Sequence, residues 1–154
     1  MSDQLENERG GDKPALRALA VHYANAVDEG DSRKFISAFL PDAKLVVRNG
    51  DATLSERQGH AQLEGIPARA QTRFDCTMHF LGQSLYDIGP DGASGVVYCI
   101  AHHLKRTEHG GTNHVMYIRY RDTYRRDAAG DWKIASRVVG IDWTETRAAN
   151  PAGT

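Results

Sequence analysis

His79 stands inside Thr77-Met78-His79-Phe80-Leu81-Gly82-Gln83, a run of strand-forming and apolar residues. An ionisable ring in such a setting costs free energy unless a partner holds it. Asp28, at the end of the first helical pattern, is the candidate partner in character. A carboxylate bonded to one ring nitrogen fixes the tautomer and raises the basicity of the other nitrogen. The chemistry open to such a pair is proton transfer, worth roughly 10²–10⁴-fold for a well-placed base. The competing structural reading is a hydrogen-bonded core histidine and, for Asp28, a solvated helix–helix turn. On a helical wheel Asp28 does lie off the apolar stripe. Three further ionisable residues, Tyr23, His102 and Arg137, also interrupt apolar stretches, and this company favours chemistry.

Other chemistries find less support. No serine or cysteine sits in a nucleophile elbow, and no glycine-rich loop could cradle phosphate. Side chains alternate along a strand, so Val96, Tyr98, Ile100, His102 and Leu104 share one face. His103 points the other way with Cys99 and Ala101. Two adjacent strand histidines cannot both chelate one metal, and no carboxylate stands at ligand spacing beside them, so no metal site is expected. Arg137 falls on a face with Ala135, Val139, Ile141 and Trp143 and needs an anionic or carbonyl partner. That partner is either Asp122, in an internal ion pair, or a substrate carboxylate or carbonyl.

The elements that must position these residues are legible in the pattern. A helix is expected from Pro14, with Leu16, Leu19, Ala20, Tyr23, Ala26 and Val27 at helical spacing. Gly30 closes it, and Asp31 caps a second helix whose stripe is Phe35, Ile36 and Phe39. Pro41 ends the helices. Ala43 to Arg48 and Ala52 to Arg57 read as strands joined at Asn49-Gly50, and Gly59 to Ala70 as a short, weak helix. Four strand-like stretches follow: Thr77 to Ile88, bent near Gly82, Ala93 to Arg106, Asn113 to Arg126 and Trp132 to Trp143. Helices followed by consecutive long strands predict an α+β domain. Its strongly curved antiparallel sheet would be covered on one face by the helices, around a pocket.

The chain of 154 residues is long enough to bury a core, and we expect one domain over 13–146 with flexible tails at 1–12 and 147–154. Nineteen basic against twenty acidic residues leave a net charge of −1, which gives no call for nucleic acid or an anionic membrane. The polar first dozen residues do not resemble a secretory signal, and no apolar run could span a bilayer. Cys76 and Cys99 lack metal-type spacing and are expected to be reduced and buried, as in the cytoplasm, although a disulfide between them stays open.

Taken together, these stretches resemble a known family. Tyr23 to Asp31, followed by Phe35 to Phe39 and Pro41-Asp42-Ala43, is similar to the opening of SnoaL-like proteins of the nuclear transport factor 2-like superfamily. Thr77 to Gly82 and the closing Tyr124-Arg125-Arg126 to Trp132-Lys133-Ile134 resemble the same family in the same order. The resemblance implies a cone-like sheet closed by helices around an apolar pocket. The polar set is most similar to those of scytalone dehydratase, lindane dehydrochlorinase and the bile-acid dehydratase. By that likeness Asp28 and His79 are the catalytic pair, while Tyr23, Tyr98, His102 and Arg137 bind substrate. The implied activity is a cofactor-independent elimination on a small apolar or polycyclic substrate, in a homo-oligomer, trimer or dimer. Isomerases, polyketide cyclases, non-catalytic ligand carriers and dioxygenase small subunits share the fold and are the alternatives.

Overall fold

The first helix, α1, spans Ser2–Glu29 and delivers Asp28 in its last turn. A computed structural model describes residues 2–153, with side chains from Gly11 onward. The buried stripe of α1 is Leu16, Ala20, Tyr23, Ala26 and Val27, as the spacing predicts. Gly30 takes φ +71, the left-handed conformation that ends a helix without Cβ strain. Asp31 then caps α2 (Ser32–Ser37), its Oδ1 accepting the Lys34 backbone N–H at 2.9 Å.

Six strands follow in chain order, interrupted by two short helices. They are β1 (Phe39–Asn49), β2 (Ala52–Gln58), β3 (Cys76–Ile88), β4 (Ala93–Thr107), β5 (Gly110–Arg126) and β6 (Trp132–Ala149). The helices α3 (His60–Leu63) and α4 (Gly65–Arg73) lie between β2 and β3. The sheet order is β2-β1-β6-β5-β4-β3, a curved and unclosed sheet. The fold class is the α+β expected, with one correction: β1 and β6 run parallel, so the sheet is mixed. The Ile134 N–H donates to the Ala38 carbonyl at 2.9 Å, which sets the beginnings of the two strands side by side.

Local departures from the sequence reading have identifiable causes. The backbone of α1 is helical from Ser2, so Pro14 lies inside it rather than at its start. Asp12, expected in a flexible tail, accepts from Arg126 Nη2 at 2.7 Å and Trp132 Nε1 at 2.9 Å, which ties α1 to the far end of β5 and β6. At the other end, Arg147, Ala148 and Ala149 pair with β5, so the strand consumes the first part of the expected tail. Phe39 begins β1 instead of completing α2, yet remains buried. The β1–β2 hairpin turns at Gly50-Asp51, one residue later than expected, with Gly50 at φ +57. Cys99 is buried but Cys76, at the start of an edge strand, is exposed, and both thiols are free. Among the described residues no helix is long and apolar enough to cross a membrane.

All the helices covering the sheet pack on one face, where the core gathers Phe35, Phe39, Leu45, Val97, Ile118, Tyr120, Ile134 and their neighbours. A bulge between Leu81 and Ser84 bends β3 where the sequence expects it. Arg17 of α1 reaches that bend and donates to the Gly82 carbonyl at 2.9 Å.

Candidate active site

Asp28 and His79 meet. The His79 Nδ1 lies 2.7 Å from Asp28 Oδ1, and the His79 backbone N–H donates to Oδ2 at 2.9 Å. The Thr77 hydroxyl donates to Oδ1 at 2.9 Å, so three donors fix the carboxylate. Two elements produce this geometry. Helix α1 ends against β3, and the β3–β4 register turns Thr77, His79 and Leu81 to the inner face opposite His103, Ala101 and Cys99. The end of α1 is fixed in turn by Gln71 of α4, whose Nε2 donates to the carbonyls of Val27 at 3.0 Å and Asp28 at 3.3 Å. Burial alone would raise the Asp28 carboxyl. Hydrogen bonds from the His79 side chain and backbone, attraction to His79 and the Thr77 hydroxyl outweigh burial and hold it below the ordinary carboxylate range. An ionised carboxylate only accepts, so Nδ1 carries the proton in this contact, and in the neutral ring Nε2 is the nitrogen with the lone pair.

His79 lines a cavity of about 360 Å³ between the inner sheet face, α1 and α4. The buried Tyr23, Tyr120 and His103 and the half-buried Phe74 line it, with Leu45, Val47, Ile118, Val139 and Ile141 as apolar wall. Burial pushes the Tyr23 hydroxyl up to about 12 and Tyr120 well above the ordinary phenol value, so both stay protonated donors. His103 Nδ1 lies 3.1 Å from the His114 carbonyl, which requires the proton on Nδ1. Burial lowers His103 to about 4, leaving a neutral ring whose edge meets His79 at a centroid distance of 5.8 Å. Among the described residues no three His, Cys, Asp or Glu side chains gather at metal-binding distance.

The structure keeps the two faces of β4 as strand alternation groups them, but it moves Tyr98, His102 and Arg137 out of the substrate-binding places expected for them. His102 and Tyr98 are on the outer face, where His102 Nδ1 meets the Asn113 amide at 2.9 Å and Tyr98 lies under Arg119. The histidine beside His79 is His103. Small inner residues on the same strand, Cys99 and Ala101, leave the room that a cavity needs, and this is the signal that could have selected His103. Trp143 is also outward, because an irregularity between Tyr117 and Ile118 shifts the β5–β6 register and reverses the parity of β6. Arg137 is fully buried but is not in the cavity wall. Its Nε and Nη2 donate to Asp122 at 2.8 and 2.7 Å, and the Tyr124 hydroxyl donates to the same carboxylate at 2.7 Å. The guanidinium carbon stacks 4.2 Å from the ring centroids of both Tyr23 and Tyr120. Of the two readings of Arg137, the geometry gives the internal ion pair, which supports the tyrosines from behind.

A second depression, of about 480 Å³, lies on the outer face against Phe80, Tyr98, Tyr117 and Trp143. It contains the Arg119–Asp142 ion pair and no acid/base pair among the described residues, so the inner cavity is the candidate site.

The SnoaL-like domain family matches residues 9–138, most of the chain. The chain is a SnoaL-like protein. Solved structures agree on its fold. A scytalone dehydratase candidate from Novosphingobium aromaticivorans DSM 12444 superposes with a TM-score of 0.76 at 22% identity, covering 100% of this chain and 99% of that one. A type 2 hexachlorocyclohexane dehydrochlorinase gives a TM-score of 0.81 at 15% identity, over 97% and 99% of the two chains. The type 3 enzyme from Novosphingobium barchaimii LL02 gives 0.74 at 15%, over 97% and 96%. Identities this low establish for the SnoaL-like protein a shared fold rather than a shared reaction. No protein of curated function matches the sequence.

Proposed function

We propose that this SnoaL-like protein is a cofactor-independent acid/base enzyme that removes a proton from carbon in a small, largely apolar substrate, as a dehydratase-type lyase. The observation that carries the proposal is the 2.7 Å contact between Asp28 Oδ1 and His79 Nδ1 at the cavity wall. It leaves His79 Nε2 as the free base, with no partner among the described residues. Asp28 orients the ring and stabilises the imidazolium that forms on proton uptake. The Tyr23 hydroxyl, protonated and in the same wall, can donate to an oxygen on which negative charge develops. His103, neutral with its Nε2 unprotonated, can accept from a substrate hydroxyl or a water and so place the leaving group. The likeness to dehydratase and dehydrochlorinase structures agrees with elimination as the outcome. Isomerisation begins with the same proton abstraction, and the product distinguishes the two.

The test needs no natural substrate. The carbon acid 2-tetralone, a neutral bicyclic ketone, is incubated in deuterium oxide and its α-deuteration followed by NMR. We expect the wild-type protein to accelerate exchange and His79→Ala to lose at least about a hundredfold of that rate. Exchange by His79→Ala as fast as by wild type would falsify the assignment of His79 as base.

A further inference from the structure

Three arginines line the cavity that the proposed function uses: Arg57 from β2, and Arg69 and Arg73 from α4. Arg57 pairs with Leu45 in the β1–β2 register, which places it on the inner sheet face. Arg69 and Arg73 are four residues apart and therefore share one side of α4. Two elements that are distinct in the chain thus bring three cations to one opening. Arg57 is half-buried and the other two are exposed, whereas Tyr23, Tyr120 and His103 at the other end are buried. The charge is at the mouth.

Nothing among the described residues neutralises it. No Asp or Glu of that part of the chain lines the cavity. The acidic residues nearest in sequence make no ion pair with the three: Glu56 pairs with Lys44 at 2.6 Å, Asp75 accepts the Arg106 backbone N–H at 2.6 Å, and Glu64 is exposed and outside the cavity lining. Asp28 is held by His79 and Thr77. Arg73 does rest 5.4 Å from the Phe74 ring centroid, but that contact leaves its N–H groups free to face a ligand. A basic residue in the last turn of a helix complements the helix dipole, which accounts for Arg73 and not for Arg57. Nor does a general basic excess explain the trio, since the net charge of the chain is −1. Three like charges around one opening repel one another until an anion joins them.

We propose that Arg57, Arg69 and Arg73 bind an oxyanion carried by the substrate, so that the enzyme acts on small apolar organic acids. The apolar body would lie against Leu45, Val47, Ile118 and Val139, with the anionic group at the mouth and the reacting carbon near His79. A planar guanidinium matches a carboxylate or sulfonate in a two-point fork, so the anchor also fixes orientation. This inference rests on the reading that the cavity is the reaction chamber. It is tested by binding alone, so its failure is separate from failure of the His79 chemistry.

The experiment is calorimetric titration of the full-length protein with 2-naphthoate, 2-naphthalenesulfonate and the neutral isostere 2-naphthamide. At low ionic strength we expect both anions to bind at least about tenfold more tightly than the amide, with the advantage shrinking as salt is added. The triple variant Arg57→Gln/Arg69→Gln/Arg73→Gln should bind both anions no more tightly than it binds 2-naphthamide. If the triple variant does not fold, Arg69→Gln/Arg73→Gln, changed only at exposed positions, should lose most of the preference for the anions. His79→Ala should still bind both anions more tightly than the amide. Equal affinity for the anions and the amide, no binding of either anion to wild type, or a preference that survives the arginine substitutions would overturn the proposal.

Discussion

At the scale of single residues, the cavity separates groups that must ionise from groups that must not. Asp28 is held charged by its donors, while His103 and Tyr23 are held neutral by burial. For catalysis we expect Asp28→Asn to lose nearly as much 2-tetralone exchange as His79→Ala. An amide neither stabilises the imidazolium nor enforces the Nδ1-protonated tautomer. For stability, His103 sets a pH dependence whose sign is fixed. Its folded value of about 4 lies below the ordinary 6.5, so between those limits the unfolded chain binds the extra proton. Stability therefore rises with pH across that window and is flat above it. Asp28 acts in the same sense at lower pH: its depressed carboxyl contributes stability that is lost as pH falls through its folded value. Urea unfolding at pH 7.5 and 4.5 should differ by about 2–3 kcal/mol from His103, and His103→Gln should flatten most of that slope. Arg137 is a stability residue in the same accounting. Arg137→Met should cost about 3–5 kcal/mol, because it strands the Asp122 carboxylate at 0% exposure. A measured loss below about 1 kcal/mol, the range of an exposed pair, would contradict the buried-pair reading.

At the scale of elements, the site depends on how α1 ends. Gly30 has φ +71, and a Cβ there would stand 2.8 Å from Gln71 Cγ, the side chain that caps the carbonyls of Val27 and Asp28. Gly30→Ala should thus destabilise by about 1–2 kcal/mol through backbone strain and displacement of Gln71. It should also lower 2-tetralone exchange, since Gln71 holds the Asp28 carbonyl itself. Full exchange activity in a destabilised Gly30→Ala protein would show that the cap does not position the dyad. The cap glycine, the Asp31 cap and the bend near Gly82 are all legible in the sequence, because each depends on residues close together in the chain. What is not legible depends on pairing between distant segments. The parallel β1–β6 contact, the register shifts of β6 and the sharing of one cavity by β2 and α4 leave no local mark. Which face of β4 is the inner one is hidden for a related reason. Alternation sorts the two faces correctly, but Val96, Tyr98, Ile100 and Leu104 are more apolar than the small inner residues, so nothing local marks their face, and His102 with it, as the outer one.

At the scale of the whole molecule, that misleading face has its own consequence. The registers Phe80↔Ile100, Ile100↔Tyr117 and Tyr117↔Trp143 set four large side chains in one row across β3, β4, β5 and β6. Phe80 is 64% exposed and Trp143 52%, with Met78 beside them at 58%. Tyr117 and Trp143 stack with centroids 4.2 Å apart, which stiffens the row. The helices are on the opposite face, so none of them covers this one. Contiguous apolar rows of this kind are uncommon on monomers and usually belong to interfaces. A second copy of this chain is the partner that the surface chemistry fits, either with the two faces meeting in a two-fold dimer or with the face against a different surface in a ring such as a trimer. We expect sedimentation at micromolar concentration to give an oligomer, and Phe80→Glu/Trp143→Glu to give a folded monomer, because a charge pair in the row must be desolvated on association. The inner cavity lies on the other side of the sheet, so that variant should retain 2-naphthamide binding. A wild-type protein that sediments as a monomer would refute self-association through this face. An oligomer unaffected by the double substitution would place the interface elsewhere.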